Sequence, residues 1–410
     1  MIRRLKVGFM FEPGTNIPVG EMLHSQNGEV YFQFDANILT STLSPSPFKL
    51  KKLAEPQNPV SKDLGLFDGL FGVFADSLPD GWGLLMMSRA MRRAGANFAE
   101  ATALDRLSYI GRNGMGALVY EPAQHNGDHN LGPIDLSALA KEAERVMEGK
   151  TEDVLAELTA LGGSPGGARP KVLVGFSSDH SENRAQRIVA GLTELPPNFS
   201  HWIVKFRAKD ESPDASILEY IYAQTAQHVG IKMTECRLIE DRLGQPWFAT
   251  KRFDRGPHNT RIHVHSAAGL LHADFRLPSL DYSDLLKLTK ALTRRDDDLL
   301  AMFRLAAFNI MFHNRDDHAK NFAYTMDPTG QWRLAPAYDL CFTAGPGGEH
   351  STAILGEGRS PTLSHLHRLA AEHHISSAVA KAVVEEVESG RSFMKDLLKQ
   401  YGIRLPMKEF

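Results

Sequence analysis

Cysteine is nearly absent. Cys236 and Cys341 are the only two in 410 residues, and they show no pairing pattern. A disulfide scaffold is thereby excluded and a reducing compartment is expected. No apolar run approaches the roughly 18 residues of a membrane span. The basic start Met1-Ile2-Arg3-Arg4-Leu5-Lys6 is not followed by an apolar segment before Glu12 and Pro13. No signal peptide is therefore read, and a cytoplasmic protein with no membrane partner is expected. Positive charge is not in surplus: the formal net charge is −3, which excludes the global basic field of a dedicated nucleic-acid binder. Among 17 histidines there is no His-Glu-x-x-His or comparable ligand set, and no Gly-Lys-Ser/Thr closes a Walker-type loop. A metal hydrolase built on His263, His265, His313 and His318 is accordingly disfavoured. His263 and His265, alternating with Ile262 and Val264, are expected on the polar face of a strand. There is no internal repeat and no long low-complexity segment.

What remains is an ordinary globular composition, 42% hydrophobic and 23% charged, long enough for two or three domains and for large cores. Residues 5–11 and 29–35 read as strands, with glycines and prolines marking turns between them. A helix is expected from Leu84 to Ala94 after the turn at Pro79-Asp80-Gly81, and another from Asp105 to Ile110. Residues 121–133, polar and rich in Gly and Pro, read as a linker closing an N-terminal α+β region. Helices follow at 135–147 and 152–160. Strands are expected at 172–176, 187–192, 201–206, 236–239 and 246–253. Helix 214–229 should bury a stripe of Ile217, Leu218, Ile221 and Thr225. Helices at 282–292 and 298–312 follow, the second apolar nearly all round and so central to a helical lobe. The tail from Ser364 to Tyr401 is helical by pattern.

The chemistry concentrates after that central helix. Phe322 to Met326 and Trp332 to Pro336 flank Asp327-Pro328-Thr329-Gly330, a type I turn signal. Folding this hairpin symmetrically sets Asn321 opposite Pro336 and brings Asp339 near Asn321 and the loop at Asp316. Phosphoryl transfer needs such a set: one carboxylate to take the proton of an attacking hydroxyl, and an Asn and a second Asp as hard oxygen ligands for Mg²⁺ on nucleotide phosphates. The plainer alternative is a polar loop with a surface hairpin. Upstream, residues 162–167 (Gly-Gly-Ser-Pro-Gly-Gly) leave many backbone N–H groups able to face an anion, although a flexible linker has the same composition. Lys205 lies within the apolar stretch Trp202 to Phe206. A phosphate partner would justify a lysine there, and an edge strand facing water would also explain it. Glu219 is a candidate partner for Lys205.

Five stretches carry a resemblance. Gly162 to Lys171 (GGSPGGARPK), Trp202 to Phe206 (WIVKF), Lys251 to Arg255 (KRFDR), Asn314 to Asn321 (NRDDHAKN) and Pro336 to Leu340 (PAYDL) resemble the HipA family of bacterial serine/threonine-protein kinases, the toxins of type II toxin–antitoxin pairs. Asp76 to Gly83 (DSLPDGWG) resembles the family's N-terminal subdomain. The resemblance implies an α+β, two-lobed kinase-like fold. An N-terminal α/β subdomain would span 1–125, an N-lobe with the Gly-rich loop 135–255, and a mainly helical C-lobe 256–410. It implies ATP and Mg²⁺ as cofactors, Asp316 as catalytic base, and Asn321 and Asp339 as metal ligands. It implies a phosphate loop of Gly166, Gly167, Ala168, Arg169, Pro170 and Lys171, with Lys205 on the phosphates. Lys251, Arg252 and Phe253 would form the hinge, with His318, Ala319, Lys320 and Tyr338 as further nucleotide contacts. Ser164 matches the inhibitory autophosphorylation serine. A phosphate there brings about 2 negative charges and should eject the loop. The implied partners are a helix-turn-helix antitoxin of the HipB type and a protein substrate, by family precedent an aminoacyl-tRNA synthetase, whose modification arrests growth and underlies persistence. DNA would be met only through the antitoxin. The alternative is a non-catalytic co-repressor acting with that antitoxin.

Overall fold

A computed structural model describes residues 2–59, 65–124, 134–150, 156–162, 166–178, 188–191, 194–240 and 244–405. It mixes helix and sheet and divides into two compact units. The first comprises Met1–Pro213, Arg237–His265 and Met326–Gly330; the second comprises Asp214–Cys236, Ser266–Thr325 and Gln331–Phe410.

The first unit begins with strands β1 (Arg4–Phe9), β2 (Ile17–His24) and β3 (Val30–Phe34), joined later by β4 (Leu118–Glu121). They form an antiparallel sheet in the order β3-β2-β1-β4. In β1 the period of two is clean: Leu5 and Val7 are buried while Arg4 and Lys6 face water. β2 lies where turns are expected from the sequence. Pro18 and Gly20 hide its alternation, although Val19 and Met22 are fully buried. Helices α1 (Ala36–Thr40), α2 (Gly72–Ala75), α3 (Gly81–Arg93) and α4 (Ala103–Ile110) follow. A reciprocal capping box between Thr102 and Asp105 starts α4.

Next come α5 (Leu136–Met147), α6 (Ala156–Gly162), β5 (Lys171–Ser177), β6 (Ile188–Ala190) and β7 (Phe199–Lys205). A second sheet runs β6-β5-β7-β9-β8, where β8 is Cys236–Glu240 and β9 is Pro246–Lys251. Every residue of β5 is buried, as its unbroken apolar run requires of a strand covered on both faces. One core joins both parts of this unit. Trp82 and Met86 of α3 pack with Leu136 and Leu139 of α5, Leu158 and Leu161 of α6, and Val172, Trp202 and Ala249 of the sheet.

The second unit is mainly helical. It holds α7 (Ala215–His228), α8 (Ala267–Leu271), α9 (Tyr282–Thr293), α10 (Asp296–Met311), α11 (Leu363–Glu372) and α12 (Ser377–Gln400). α10 is buried nearly all round, as its composition predicts. Three aspartates in its first turn, Asp296 to Asp298, complement the helix dipole. α7 turns differently from the expected stripe: Glu219 and Tyr222 are buried while Ile217 and Leu218 are only half-buried. The helical tail is two helices. His374 at φ +58° breaks it, and Ser376 caps the restart by accepting the Val379 N–H. Among the described residues, no helix is long and apolar enough to cross a membrane.

Candidate active site

The loop after α10 is built on a buried polar frame. The Asn314 N–H donates to Asn309 O at 2.9 Å, and its side-chain amide donates to Asn309 Oδ1 at 3.0 Å. The Asn309 amide donates to the Tyr282 hydroxyl at 3.0 Å, and that hydroxyl donates to Asp317 Oδ2 at 2.6 Å. His350 Nδ1 lies 2.9 Å from the same oxygen. Asp317 Oδ1 accepts the backbone N–H groups of Ser351 and Thr352 at 2.8 and 3.2 Å. Asp317 is 0% exposed, so four donors replace the water its carboxylate gives up. Its neighbour Asp316 is exposed. Of two adjacent aspartates, one anchors the loop and the other is presented to solvent.

Asn321 turns its amide nitrogen to Asp316 O at 2.6 Å, which points the amide oxygen, a hard metal ligand, the other way. The hairpin closes as expected in kind but not in register. The Gly330 N–H reaches Asp327 O at 3.0 Å, and the Ala335 N–H reaches Ala323 O at 3.0 Å. Ala323 is thus paired with Ala335, where a symmetric fold would pair it with Leu334. Gly330, at φ +88°, adds the extra residue of a bulge after the type I turn, which moves the returning strand by one. The strands are β10 (Ala323–Met326) and β11 (Trp332–Leu334). The return is tied down where the Tyr338 hydroxyl donates to Lys320 O at 2.5 Å. Asp339 is exposed and holds φ +57°, a left-handed conformation that costs energy in a non-glycine residue and marks an over-determined position. Phe275, which the sequence does not single out, packs under this loop. The Lys320 ammonium lies 4.0 Å from its ring centre and the His318 ring 5.9 Å away.

Two oxygen ligands, Asn321 and Asp339, suit Mg²⁺, which takes few protein ligands and completes its shell with water and phosphate. Among the described residues, no group of three or more His, Cys, Asp or Glu side chains could hold a metal by itself. His263 and His265 are not on a polar face. Both are buried (1% and 0% exposed), with His263 Nε2 at 2.9 Å from Pro45 O and His265 Nδ1 at 2.6 Å from Asp76 Oδ2.

In the first unit, Gly166 to Lys171 runs into β5. Lys171 and Lys205 sit directly opposite each other in the β5–β7 ladder, and both are buried (6% and 7% exposed). Two like charges facing each other across a ladder repel. Lys171 Nζ donates to Gly166 O at 2.5 Å, and Lys205 Nζ is 5.7 Å from the Phe248 ring centre. Ala168 is exposed, Pro170 is buried, and Arg169 Nε reaches Phe206 O at 2.9 Å and Glu211 at 3.2 Å. Glu219 lies on α7, buried, in the second unit. Ser164 lies outside the described residues.

Of the hinge residues, Lys251 ends β9 opposite Trp202, and Phe253 is half-buried. The Arg252 side chain is committed elsewhere: it forks onto Asp254 at 2.9 and 2.7 Å. Arg255 and the Gly116 N–H join the same carboxylate at 2.6 and 2.7 Å. Burial alone would raise the Asp254 carboxyl, but Arg252 and Arg255 overcome it and hold it below the ordinary range. Burial first, then the charge on Arg252, pushes the neighbouring His201 down to about 4. The Arg252 N–H is committed as well, donating to His201 O at 2.9 Å, so of its polar groups the carbonyl would be the one to meet a nucleotide.

Two family models match the chain: the HipA N-terminal domain over residues 15–121 and the HipA-like C-terminal domain over 163–392. Among solved structures, the toxin–antitoxin complex of HipA, HipB and operator DNA from Shewanella oneidensis MR-1 contains a chain similar to this one. Its TM-score is 0.69 at 15% identity, covering 99% of this chain and 92% of that one. At that identity the likeness speaks for the fold alone. The Helicobacter pylori proinflammatory kinase CtkA matches at a TM-score of 0.33 and 13% identity, over 51% of this chain and 92% of that one, too low a score to carry an argument. No curated protein matches the chain.

Proposed function

The chain belongs to the HipA family, and from that premise we propose that it is an ATP-dependent serine/threonine-protein kinase with a two-lobed kinase-like fold, acting as the toxin of a toxin–antitoxin pair. One observation carries the reading: an exposed Asp316 beside a buried, fully bonded Asp317, with Asn321 and Asp339 brought in by the same loop and hairpin. Asp316 orients the attacking hydroxyl and takes its proton. Asn321 and Asp339 offer the oxygen ligands for Mg²⁺, which when bound neutralises charge on the nucleotide phosphates. Lys171 and Lys205 supply positive charge, and the amides of Gly166 and Ala168 supply donors to phosphate oxygens. Lys251, Arg252 and Phe253 offer backbone groups to adenine, and His318, Ala319, Lys320 and Tyr338 are further nucleotide contacts. The target is a component of translation, by family precedent an aminoacyl-tRNA synthetase, and phosphorylation of Ser164 switches the enzyme off.

The test is transfer of the γ-phosphoryl group of labelled ATP by the full chain. Asp316→Asn should lower transfer on the order of 10²–10⁴-fold with an unchanged circular-dichroism spectrum. Equal labelling by both proteins would end the kinase reading. Ser164→Ala should abolish self-labelling while transfer to an external protein persists.

A partner reading stands beside this. The similar Shewanella oneidensis chain was solved with HipB and operator DNA, and the alignment covers 99% of the present chain. We accordingly propose a helix-turn-helix antitoxin as partner. A co-repressor role with that antitoxin is the alternative if Asp316→Asn leaves labelling unchanged.

A further inference from the structure

The stretch Asp76 to Gly83 is the motif that the reaction above leaves unused. We infer that Asp80 and Trp82 are positioning residues for the phosphate loop, holding Gly166 to Lys171 in the shape that receives nucleotide. The contact stands on geometry alone, and its consequence for ATP rests on the kinase reading.

Asp80 occupies the N-cap of α3, where a carboxylate normally accepts N–H groups of its own first turn. It makes no such bond. Its Oδ1 instead accepts the N–H of Gly167. The first turn of α3 completes the contact from the other side, with the Trp82 N–H donating to Gly167 O at 2.9 Å. The donor and the acceptor of Gly167 are thus both held by residues 80 and 82. The Trp82 indole, 1% exposed, then donates through Nε1 to Lys171 O at 2.9 Å. The loop is fixed at its middle and at its exit into β5 by one helix start.

The approach is too close for side chains. Gly81 holds φ +46°, and a Cβ there would stand 2.6 Å from Gly167 O and 2.8 Å from Ala168 Cα. On Gly167, at φ +93°, a Cβ would stand 2.6 Å from Lys171 Nζ. The glycine that Asp80 holds is therefore the one that leaves room for the lysine ammonium, which reaches back to Gly166 O at 2.5 Å. A Gly-rich segment has more conformational freedom to lose than any other. Spending that entropy before nucleotide arrives is what raises affinity. Asp80 and Trp82 touch neither nucleotide nor the transferred group; they act through the loop.

Trp82 belongs to the core, so Asp80, half-buried, is the position to test in the full chain. Asp80→Ala removes the acceptor, and Asp80→Asn keeps an oxygen for the Gly167 N–H. Without nucleotide, amide hydrogen exchange over 166–171 should quicken about tenfold in the Ala variant and return towards the parent rate in Asn. Kd for MgATP and KM for ATP should rise about tenfold in Ala, with kcat within about threefold, and recover in Asn. Unchanged exchange in Asp80→Ala overturns the inference. So does exchange that quickens equally throughout the first unit, since Asp80 would then support the fold and not the loop. A parent chain that binds no MgATP would sink the kinase reading, while the exchange arm still decides whether Asp80 holds the loop.

Discussion

At the scale of residues, Asp316 and Asp317 show how little separates a buried anchor from a solvent-facing carboxylate. Both are aspartates at adjacent positions. The difference lies in partners found 30 or more positions away in sequence, Tyr282, His350 and the backbone of Ser351 and Thr352. Asp317→Asn is a near-isosteric change, yet it puts an NH₂ group where two of four donors now point and removes the charge they stabilise. Breaking such a buried, charge-assisted set costs about 3 kcal/mol. Urea denaturation should report a loss of that size, with phosphoryl transfer falling as Asp316 loses its support. An Asn variant as stable as the parent would refute the anchoring role. The Asp316, Asn321 and Asp339 set is proposed from the sequence, where spacing alone places the three near one hairpin. Asp317, Phe275 and Asp80 are not, because their parts depend on tertiary neighbours. The same blindness affects His263 and His265: alternation with Ile262 and Val264 suggests a wet face, but the strand is covered on both sides.

Elements follow local rules where those rules are strong, and the exceptions have nameable causes. α10 announces itself by apolar content. β2 does not, because Pro18 and Gly20 interrupt its pattern. The hairpin is legible from Asp327-Pro328-Thr329-Gly330, but the one-residue bulge at Gly330 is not, and it shifts the pairing of the returning strand by one. Gly390, in the interior of α12, is a position where propensity and packing oppose each other. Replacing it with Ala should gain about 1 kcal/mol of helix propensity. Yet a Cβ there would stand 2.6 Å from Val229 Cγ1 and 3.2 Å from Phe312 Cζ. The Val229 methyl is on a stiff, β-branched side chain at the end of α7, so the helices must part. Overpacking of this kind costs about 1–3 kcal/mol, which outweighs the gain. Gly390→Ala should therefore lower the urea midpoint, and a rise would show that α12 can shift without loss.

For the whole molecule, charge decides whether the chain can bind DNA by itself. Lys and Arg number 46 against 49 Asp and Glu. Several of the basic residues that gather are inside the fold. Arg252, Arg255 and Arg261 are 4–6% exposed, and Lys171 and Lys205 are 6–7% exposed. Non-specific duplex binding depends on lysines and arginines that displace condensed counterions, and its salt dependence counts them. With a formal net charge of −3 the chain has no excess of them to offer. Alone, it should show no duplex binding by fluorescence anisotropy at micromolar concentration and about 0.15 M salt. With a helix-turn-helix antitoxin present, the complex should bind, and the slope of log K against log[salt] should match that of the antitoxin alone, because the added chain contributes no phosphate contacts. A steep slope from the isolated chain, or a slope steepened by its addition, would show a basic surface of its own and put DNA among its direct ligands.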